Sequence, residues 1–410
     1  MIIIKVLNKK YLIIILIIVF LVAFSTSYNS LIIDRLAYVV AIGIDSTDNN
    51  TYSFTFQFTN VTTPSESGNA EKSPSIVNNV EATSLSSAIN LMNTYMGKRV
   101  NLSHCKVIVF SEKIAMQGIS NLIYTLINNP EVRPSANIVV SKCTAKNYIE
   151  NSKPIFENLI TKYYDVFPSS SSFTGYTADA TLGDFINYLE CPTSNPVAIL
   201  GGLNTENIEK TSTLSQNEEE TAKSNETTIT GKRGSENIGL AVFKNDKMVG
   251  ELNAIECLSY LNMSNNVKGF FVTVPDPQNA GEYLDLYMSP TKPIKIKLDI
   301  INDSPYIEIN ANYNARIYSM KTDAKYLNND VLNSISNSCN SFLESTFSNY
   351  LYKTAKDFKS DINGFGKYAL SKFWTTKEFN DFNWLESYEN SFFKINVNTN
   401  VESSVHLNET

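Results

Sequence analysis

The 410-residue chain has few of the residues on which catalytic and metal sites depend. It contains only two histidines, His104 and His406, and the second lies in the C-terminal tail. Its five cysteines are scattered and never take the CxxC spacing typical of zinc and redox sites. We therefore expect no catalytic residue, no metal site and no cofactor.

Other motifs are missing as well. Neither Gly201-Gly202 nor Gly364-Phe365-Gly366 is followed by the Lys-Ser/Thr of a phosphate-binding loop. Basic residues form no dense block after the N-terminus, and the net charge is −7. A nucleic-acid partner would require a basic face, so this class is excluded. The odd number of cysteines argues against a disulfide framework, although a single bridge stays open beside the reading as buried, free thiols.

Three small groups of residues remain as candidate sites, and each also has a structural interpretation. His104 precedes Cys105, but neighbouring side chains in an extended stretch point to opposite faces, which disfavours a dyad. Asp34 with Asp45, or Asp357 with Asp361, could be acid/base pairs, although carboxylates are common at strand ends and helix turns. The aromatic residues between positions 374 and 384 could bind a sugar, and packing is the favoured alternative.

One long hydrophobic run determines the predicted topology. Residues 11–24, with Tyr11, Leu16, Phe20 and Phe24, carry no charge and follow three lysines at positions 5, 9 and 10. The run would partition into hydrocarbon with its start on the cytoplasmic side. Its length suits a signal-peptide core, and a short uncleaved anchor also fits. We expect the rest of the chain to lie outside the cytoplasm.

The first half after this run alternates strand and helix patterns. Apolar or alternating stretches predict strands at residues 36–45, 52–59, 106–110, 137–141 and 197–203. Helical spacing predicts helices over residues 83–96, 112–128, 144–165 and 177–190. Residues 204–236 have almost no apolar side chain and predict a linker or long loop.

The second half predicts a hairpin at residues 238–252 and strands near 270–274, 294–300 and 306–317. A long amphipathic helix over 330–358 and a last alternating strand at 393–401 follow. The predicted class is α+β and multi-domain: mixed sheets flanked by helices, then an antiparallel sheet covered by one long helix. We place the boundaries at 1–30 (export segment), 31–203, 204–236 (linker), 237–402 and 403–410 (tail), and the first domain could consist of two subdomains.

The order of these pieces resembles the Ger(x)C family, the C subunits of spore germinant receptors. Four stretches carry the resemblance, and the third is the most specific: residues 36–45, with Gly43 and Asp45; 103–118; 239–252, with Gly239, Phe243 and Gly250, followed by Glu256; and 361–366, with Gly364 and Gly366.

This resemblance implies a non-enzymatic subunit on the outer face of the spore inner membrane, acting in the nutrient response with membrane-embedded A and B subunits. Family members carry a lipidated cysteine near the start of the mature chain, and that position here is Ser27. A serine has no thiol to accept a lipid, so we expect none to be attached and the hydrophobic segment to replace it. The alternative function is a membrane-anchored, extracytoplasmic solute- or glycan-binding protein.

Overall fold

Two β-sheets organise the computed structural model of the chain. The structure describes residues 14–20, 35–49, 51–59, 75–155, 159–204, 222–227, 229, 234–279, 281–319 and 328–402. Within these ranges the chain is mixed α and β, which confirms the predicted class.

The first sheet has nine strands. They are β1 (Leu36–Ser46), β2 (Tyr52–Phe58), β3 (Ile76–Ala82), β4 (Arg99–Asn101), β5 (Val107–Ser111), β6 (Asn137–Ser141), β7 (Val197–Leu203), β8 (Ser235–Lys244) and β9 (Lys247–Leu252). Their order is β3-β2-β1-β5-β6-β7-β8-β9, and β4 pairs with the start of β1. Strands β1, β5, β6 and β7 run parallel, whereas β2, β3, β8 and β9 are antiparallel to their neighbours.

Helices cover both faces of this sheet. They are α1 (Leu85–Met96), α2 (Glu112–Gln117), α3 (Ser120–Ile127), α4 (Ala145–Asn151), α5 (Ile160–Val166), α6 (Ser171–Thr174) and α7 (Leu182–Leu189). Adjacent residues of β1, such as Val39 and Val40, belong to different cores on the two faces. Burial on both faces explains why β1 is an almost continuous apolar run.

The single helix predicted over residues 112–128 is wrong, because two helices occupy this stretch. Gly118 separates them with a backbone φ of +116°. The backbone N–H of Ile119 donates to the carbonyl of Asp246, 3.0 Å away in the β8–β9 turn. A Cβ at Gly118 would lie 2.8 Å from the Asp246 carboxylate, so the break is imposed by the hairpin.

Part of the predicted linker contacts the first sheet. Residues 222–227 pack beside β7 and β8, where the Ser224 hydroxyl donates to the Leu200 carbonyl at 2.8 Å. The Thr227 hydroxyl donates to the carboxylate of Glu236, and all three polar side chains at positions 224, 227 and 236 are buried. Hydrogen bonding to the sheet therefore orders a segment that has little apolar surface.

The second sheet has five strands: β10 (Phe270–Pro275), β11 (Tyr283–Pro290), β12 (Lys295–Ile301), β13 (Ser304–Ser319) and β14 (Phe392–Glu402). Along one edge of β13, β12 pairs with its first half and β11 with its second half, both antiparallel. Strand β10 pairs antiparallel with β11. Strand β14 runs parallel to β13 along the opposite edge, so the sheet is antiparallel, as predicted, except for this pair.

Helix α9 (Asn329–Tyr352) covers this sheet, as predicted, and continues through a π-helical turn at Lys353–Asp357. Its buried stripe includes Ile335, Leu343 and Phe347. The Glu344 carboxylate also accepts the backbone N–H of Val397 at 2.9 Å, which satisfies a donor on the outer edge of β14. The remaining helices are α8 (Ala254–Met263), α10 (Gly366–Ala369), α11 (Thr376–Phe382) and α12 (Trp384–Ser387).

Only part of the N-terminal hydrophobic run is described. Residues 14–20, with Leu16 and Phe20, are helical and exposed. Tyr11, Phe24 and Ser27 lie outside the described residues. Among the helices that are described, none has both the length and the apolarity to cross a membrane.

Candidate functional site

Strands β8 and β9 form a wall shared by the two halves of the chain. Leu240 and Val242 point into the core of the second half, whereas Ala241 and Phe243 point into the core of the first. Both faces of β8 are therefore buried. We call the region where the halves meet the junction; it comprises this hairpin, the loop 193–195, residues 358–366 and Trp384.

Two glycines of the hairpin allow close approaches that a side chain would block. Gly239 has a φ of +90°, and a Cβ there would lie 2.1 Å from the carbonyl oxygen of Leu252. At Gly250, a Cβ would lie 2.2 Å from the ring of Phe358, the residue that follows the π-helical turn. Both positions thus need glycine for packing, which agrees with their place in the most specific family stretch.

Glu256 ties the hairpin to the end of the long helix. Its carboxylate accepts the backbone N–H of Asn253 at 2.9 Å, while the Asn253 side chain accepts the N–H of Glu256 in return, a capping box that starts α8. The ammonium of Lys353 lies 2.8 Å from both carboxylate oxygens of Glu256. It also donates to the carbonyl of Glu251 at 3.1 Å. The Glu256 carboxylate therefore caps α8 and also binds the end of the long helix through Lys353.

Asp361 is the buried charge at the centre of the junction. Its carboxylate accepts from the backbone N–H of Gly364 at 2.8 Å, from that of Gly366 at 3.0 Å and from the indole of Trp384 at 2.9 Å. Burial raises the pKa of Asp361 to about 6, although these donors oppose the increase. Its backbone carbonyl accepts the N–H of Asn195 at 2.7 Å and so links the two halves.

The glycines after Asp361 fit the same contacts. Gly364 has a φ of +69°, and a Cβ at Gly366 would lie 2.7 Å from the carbonyl of Thr193 and 2.6 Å from the Trp384 ring. The Ser360 hydroxyl donates to the carbonyl of Phe243 at 2.6 Å. The turn is therefore a packed contact between loops of the two halves.

Gly43 and Asp45 serve a similar purpose where the end of β1 packs against α4. The Asp45 carboxylate accepts the backbone N–H groups of Ala145 at 2.8 Å and Lys146 at 3.1 Å, at the start of α4. A Cβ at Gly43 would lie 2.9 Å from the side chain of Ile149 in that helix. Asp45 thus anchors a helix, and its proposed partner Asp34 lies outside the described residues.

Comparisons with known proteins all find spore germination proteins. Residues 29–201 match the family model described as spore germination protein N-terminal domain, and residues 238–405 match spore germination B3/GerAC like, C-terminal. The chain is 23% identical over 345 residues to spore germination protein KC of Bacillus subtilis strain 168, covering 82% of each chain. The crystal structure of the GerBC protein superimposes with a TM-score of 0.52 at 16% identity, covering 88% of this chain and 96% of that one.

The chain belongs to the Ger(x)C family of spore germination proteins. This confirms the resemblance drawn from the four stretches. Of the positions that carry the resemblance, Gly239, Phe243, Gly250 and Gly366 lie in the junction and Glu256 borders it, while Gly43 and Asp45 lie at the α4 end of β1.

The His-Cys pair does not form a dyad in this Ger(x)C chain. The ring of His104 packs edge-on against Tyr38 with 4.7 Å between centroids. Burial, helped by Arg133 and Lys106, lowers the pKa of His104. Cys105 instead lies in the core, where burial raises its pKa to about 12. In the described part of the chain no three His, Cys, Asp or Glu side chains could together hold a metal.

Sequence reasoning missed one cluster of charges beside β9. The Glu251 carboxylate lies 3.1 Å from the ammonium of Lys142 and 3.2 Å from that of Lys223. Burial alone would raise the pKa of Glu251, but the two lysines outweigh it and hold that pKa below its ordinary value. Burial and the neighbouring Glu251 raise the pKa of Glu112. These residues are far apart in the sequence, so no local pattern could reveal the cluster.

Proposed function

We propose that this chain is the non-enzymatic C subunit of a nutrient germinant receptor. It acts through protein–protein contacts with the membrane-embedded A and B subunits, on the outer face of the spore inner membrane. The observation that supports this most is the packing at the junction, where Gly239, Gly250 and Gly366 let the two halves approach closely. At its centre, the carboxylate of Asp361 is enclosed by hydrogen-bond donors. A tightly joined body of this kind suits a subunit that acts by contacting neighbouring proteins.

The loop around Trp374 is the surface that we propose for one of these contacts. The indole is 97% exposed, while its backbone N–H donates to the Glu378 carboxylate at 3.0 Å and fixes the loop. Leu370 beside it is also exposed. Tryptophan on a fixed backbone is typical of the residues that dominate protein interfaces, because a large area is buried at little entropic cost.

We further propose that the segment containing Leu16 and Phe20 is retained as the membrane anchor, in place of the lipid that Ser27 cannot accept. An intact N-terminus by mass spectrometry, together with membrane retention in the presence of globomycin, would support this. Release of a shortened, soluble form would refute it. The predicted domain boundaries at 31–203 and 237–402 also stay a proposal, which limited proteolysis of the full chain would test.

Deletion of the gene tests the receptor role. We expect loss of a nutrient response with normal sporulation, and co-purification of the chain from spore membranes with two polytopic proteins. Normal germination with every nutrient, or purification of the chain without such proteins, would contradict the proposal.

A further inference from the structure

The solvent-facing side of the second sheet carries amides in a regular array. Strands β13 and β14 run parallel and in register, and each places three asparagines on this side. The facing pairs are Asn310 with Asn396, Asn312 with Asn398, and Asn314 with Asn400. With neighbouring strands ~4.8 Å apart and alternate residues ~6.6 Å apart along a strand, the six amides form a flat grid.

The grid carries no charge, although charges lie at its ends. Glu308 faces Lys394 at one end, and Arg316 faces Glu402 at the other. Asn396 donates to Asn310 at 2.9 Å and Asn314 donates to Glu402 at 3.1 Å.

The other amides of the grid remain available. Within the described part of the chain, the side chains of Asn312, Asn398 and Asn400 have no hydrogen-bond partner. Each primary amide offers two donors and one acceptor, which suits an uncharged, polyhydroxylated ligand.

Three aromatic rings continue the face beyond the grid. Phe271 lies 5.1 Å from Tyr287 and 5.0 Å from Tyr318, measured between ring centroids. Tyr318 is 68% exposed and Phe271 is 47% exposed. A cleft of about 120 Å³ lies between the rings and the grid, and it is lined by Tyr287, Ser289, Asn314, Ala315, Arg316 and Glu402.

We propose that this face binds an uncharged carbohydrate chain. The C–H face of a sugar ring packs on an exposed aromatic ring, and its hydroxyls exchange hydrogen bonds with the amides. Asn310 and Tyr318 are eight residues apart on one strand, about 26 Å at ~3.3 Å per residue. That length exceeds a single sugar ring, so the ligand is an oligosaccharide or a polymer and not a monosaccharide nutrient.

Titration calorimetry on the purified full-length chain tests the proposal without any receptor partner, so its outcome is independent of the proposed receptor role. The detergent must lack a sugar headgroup, which would compete. The probes are β-1,4-linked oligomers of N-acetylglucosamine and of glucose, from one to six units, and oligogalacturonates of equal length as the charged comparison.

We expect affinity for at least one uncharged series to rise about tenfold or more from two units to six. Tyr318→Ala and the double variant Asn312→Thr, Asn398→Thr should each weaken binding of the six-unit oligomer about tenfold. Matched controls on the exposed side of α1, Tyr95→Ala and Asn90→Ala, should leave it unchanged. Tyr318→Ala removes an exposed ring, so it decides the question even if the double variant folds poorly.

Four results would overturn the proposal. They are no binding of either six-unit oligomer, equal affinity for one unit and six, preference for the charged series, and binding that survives Tyr318→Ala.

Discussion

The indole Nε1 of Trp384 lies 2.9 Å from Oδ2 of Asp361, and both side chains are buried between the two halves of the chain. The two residues are 23 positions apart. The bond fixes the segment after the long helix, at Asp361, against the start of α12, at Trp384.

Replacing Trp384 with Phe tests the importance of this bond. The variant leaves a buried carboxylate short of one donor, which should lower the free energy of unfolding by about 1–3 kcal/mol, with a further loss from the smaller ring. Urea denaturation followed by circular dichroism measures the change. Trp374→Phe is the control, because that ring is 97% exposed and should shift stability by less than about 0.5 kcal/mol. Equal effects of the two variants would contradict the role of the bond.

A matched pair of glycines separates packing from backbone strain. Gly239 and Gly281 have φ of +90° and +88°, but only Gly239 has an atom in the way, the Leu252 carbonyl oxygen at 2.1 Å. Gly281→Ala should cost about 1–2 kcal/mol from the left-handed backbone alone. Gly239→Ala should cost more than about 3 kcal/mol, because the backbone of β9 must move. Thermal unfolding gives both values, and similar losses would show that the contact is unimportant.

The charge cluster beside β9 predicts a pH dependence. The pKa of Glu251 is lowered in the folded chain, so the carboxylate stabilises the fold above its ordinary pKa of 4.5, and this stabilisation is lost as the pH falls through the folded-state pKa. Glu251→Gln should therefore cost about 1–3 kcal/mol at pH 7, and the difference should shrink below pH 4.5. Glu150→Gln, in an exposed pair with Lys146, should change little at either pH. A difference independent of pH would refute the assignment.

Because the ring of Trp374 is exposed, we expect its removal to impair assembly and leave folding intact. Trp374→Ala should leave the unfolding temperature unchanged and reduce co-purification with the proposed A and B subunits about tenfold or more, since truncating an interface hot spot costs about 2 kcal/mol. Tyr95→Ala, at another exposed aromatic residue, should leave co-purification intact. Normal assembly of the Trp374 variant would show that the contact with the partners lies on another surface.

Local patterns predicted most of the first sheet and the long helix. Strands β1 and β8 were predictable because runs buried on both faces are apolar at nearly every position, as at Leu240 to Phe243. Strands β3, β4 and β11 were missed. Strand β3 lies at a sheet edge with Asn78 and Asn79 among its residues, so it lacks the apolar run of a buried strand.

The junction could not be predicted, because its contacts join distant residues. Asn195 and Asp361 are joined by a backbone hydrogen bond, which does not depend on the type of either residue. The family stretches indicated which positions mattered, such as Gly250 and Glu256, but not that a ring or an ammonium would lie against them. The structure shows why: Gly250 lies against the ring of Phe358, and Glu256 binds the ammonium of Lys353.

The hairpin of β8 and β9 restricts how this protein can be divided for experiments. Its two faces complete different hydrophobic cores, so a fragment that ends before residue 235 loses the side chains of Ala241 and Phe243, and one that begins after residue 252 loses Leu240 and Val242. Each fragment would then expose apolar surface that the intact polypeptide covers. Loss of activity after removing either half would therefore report damage to the other half as well.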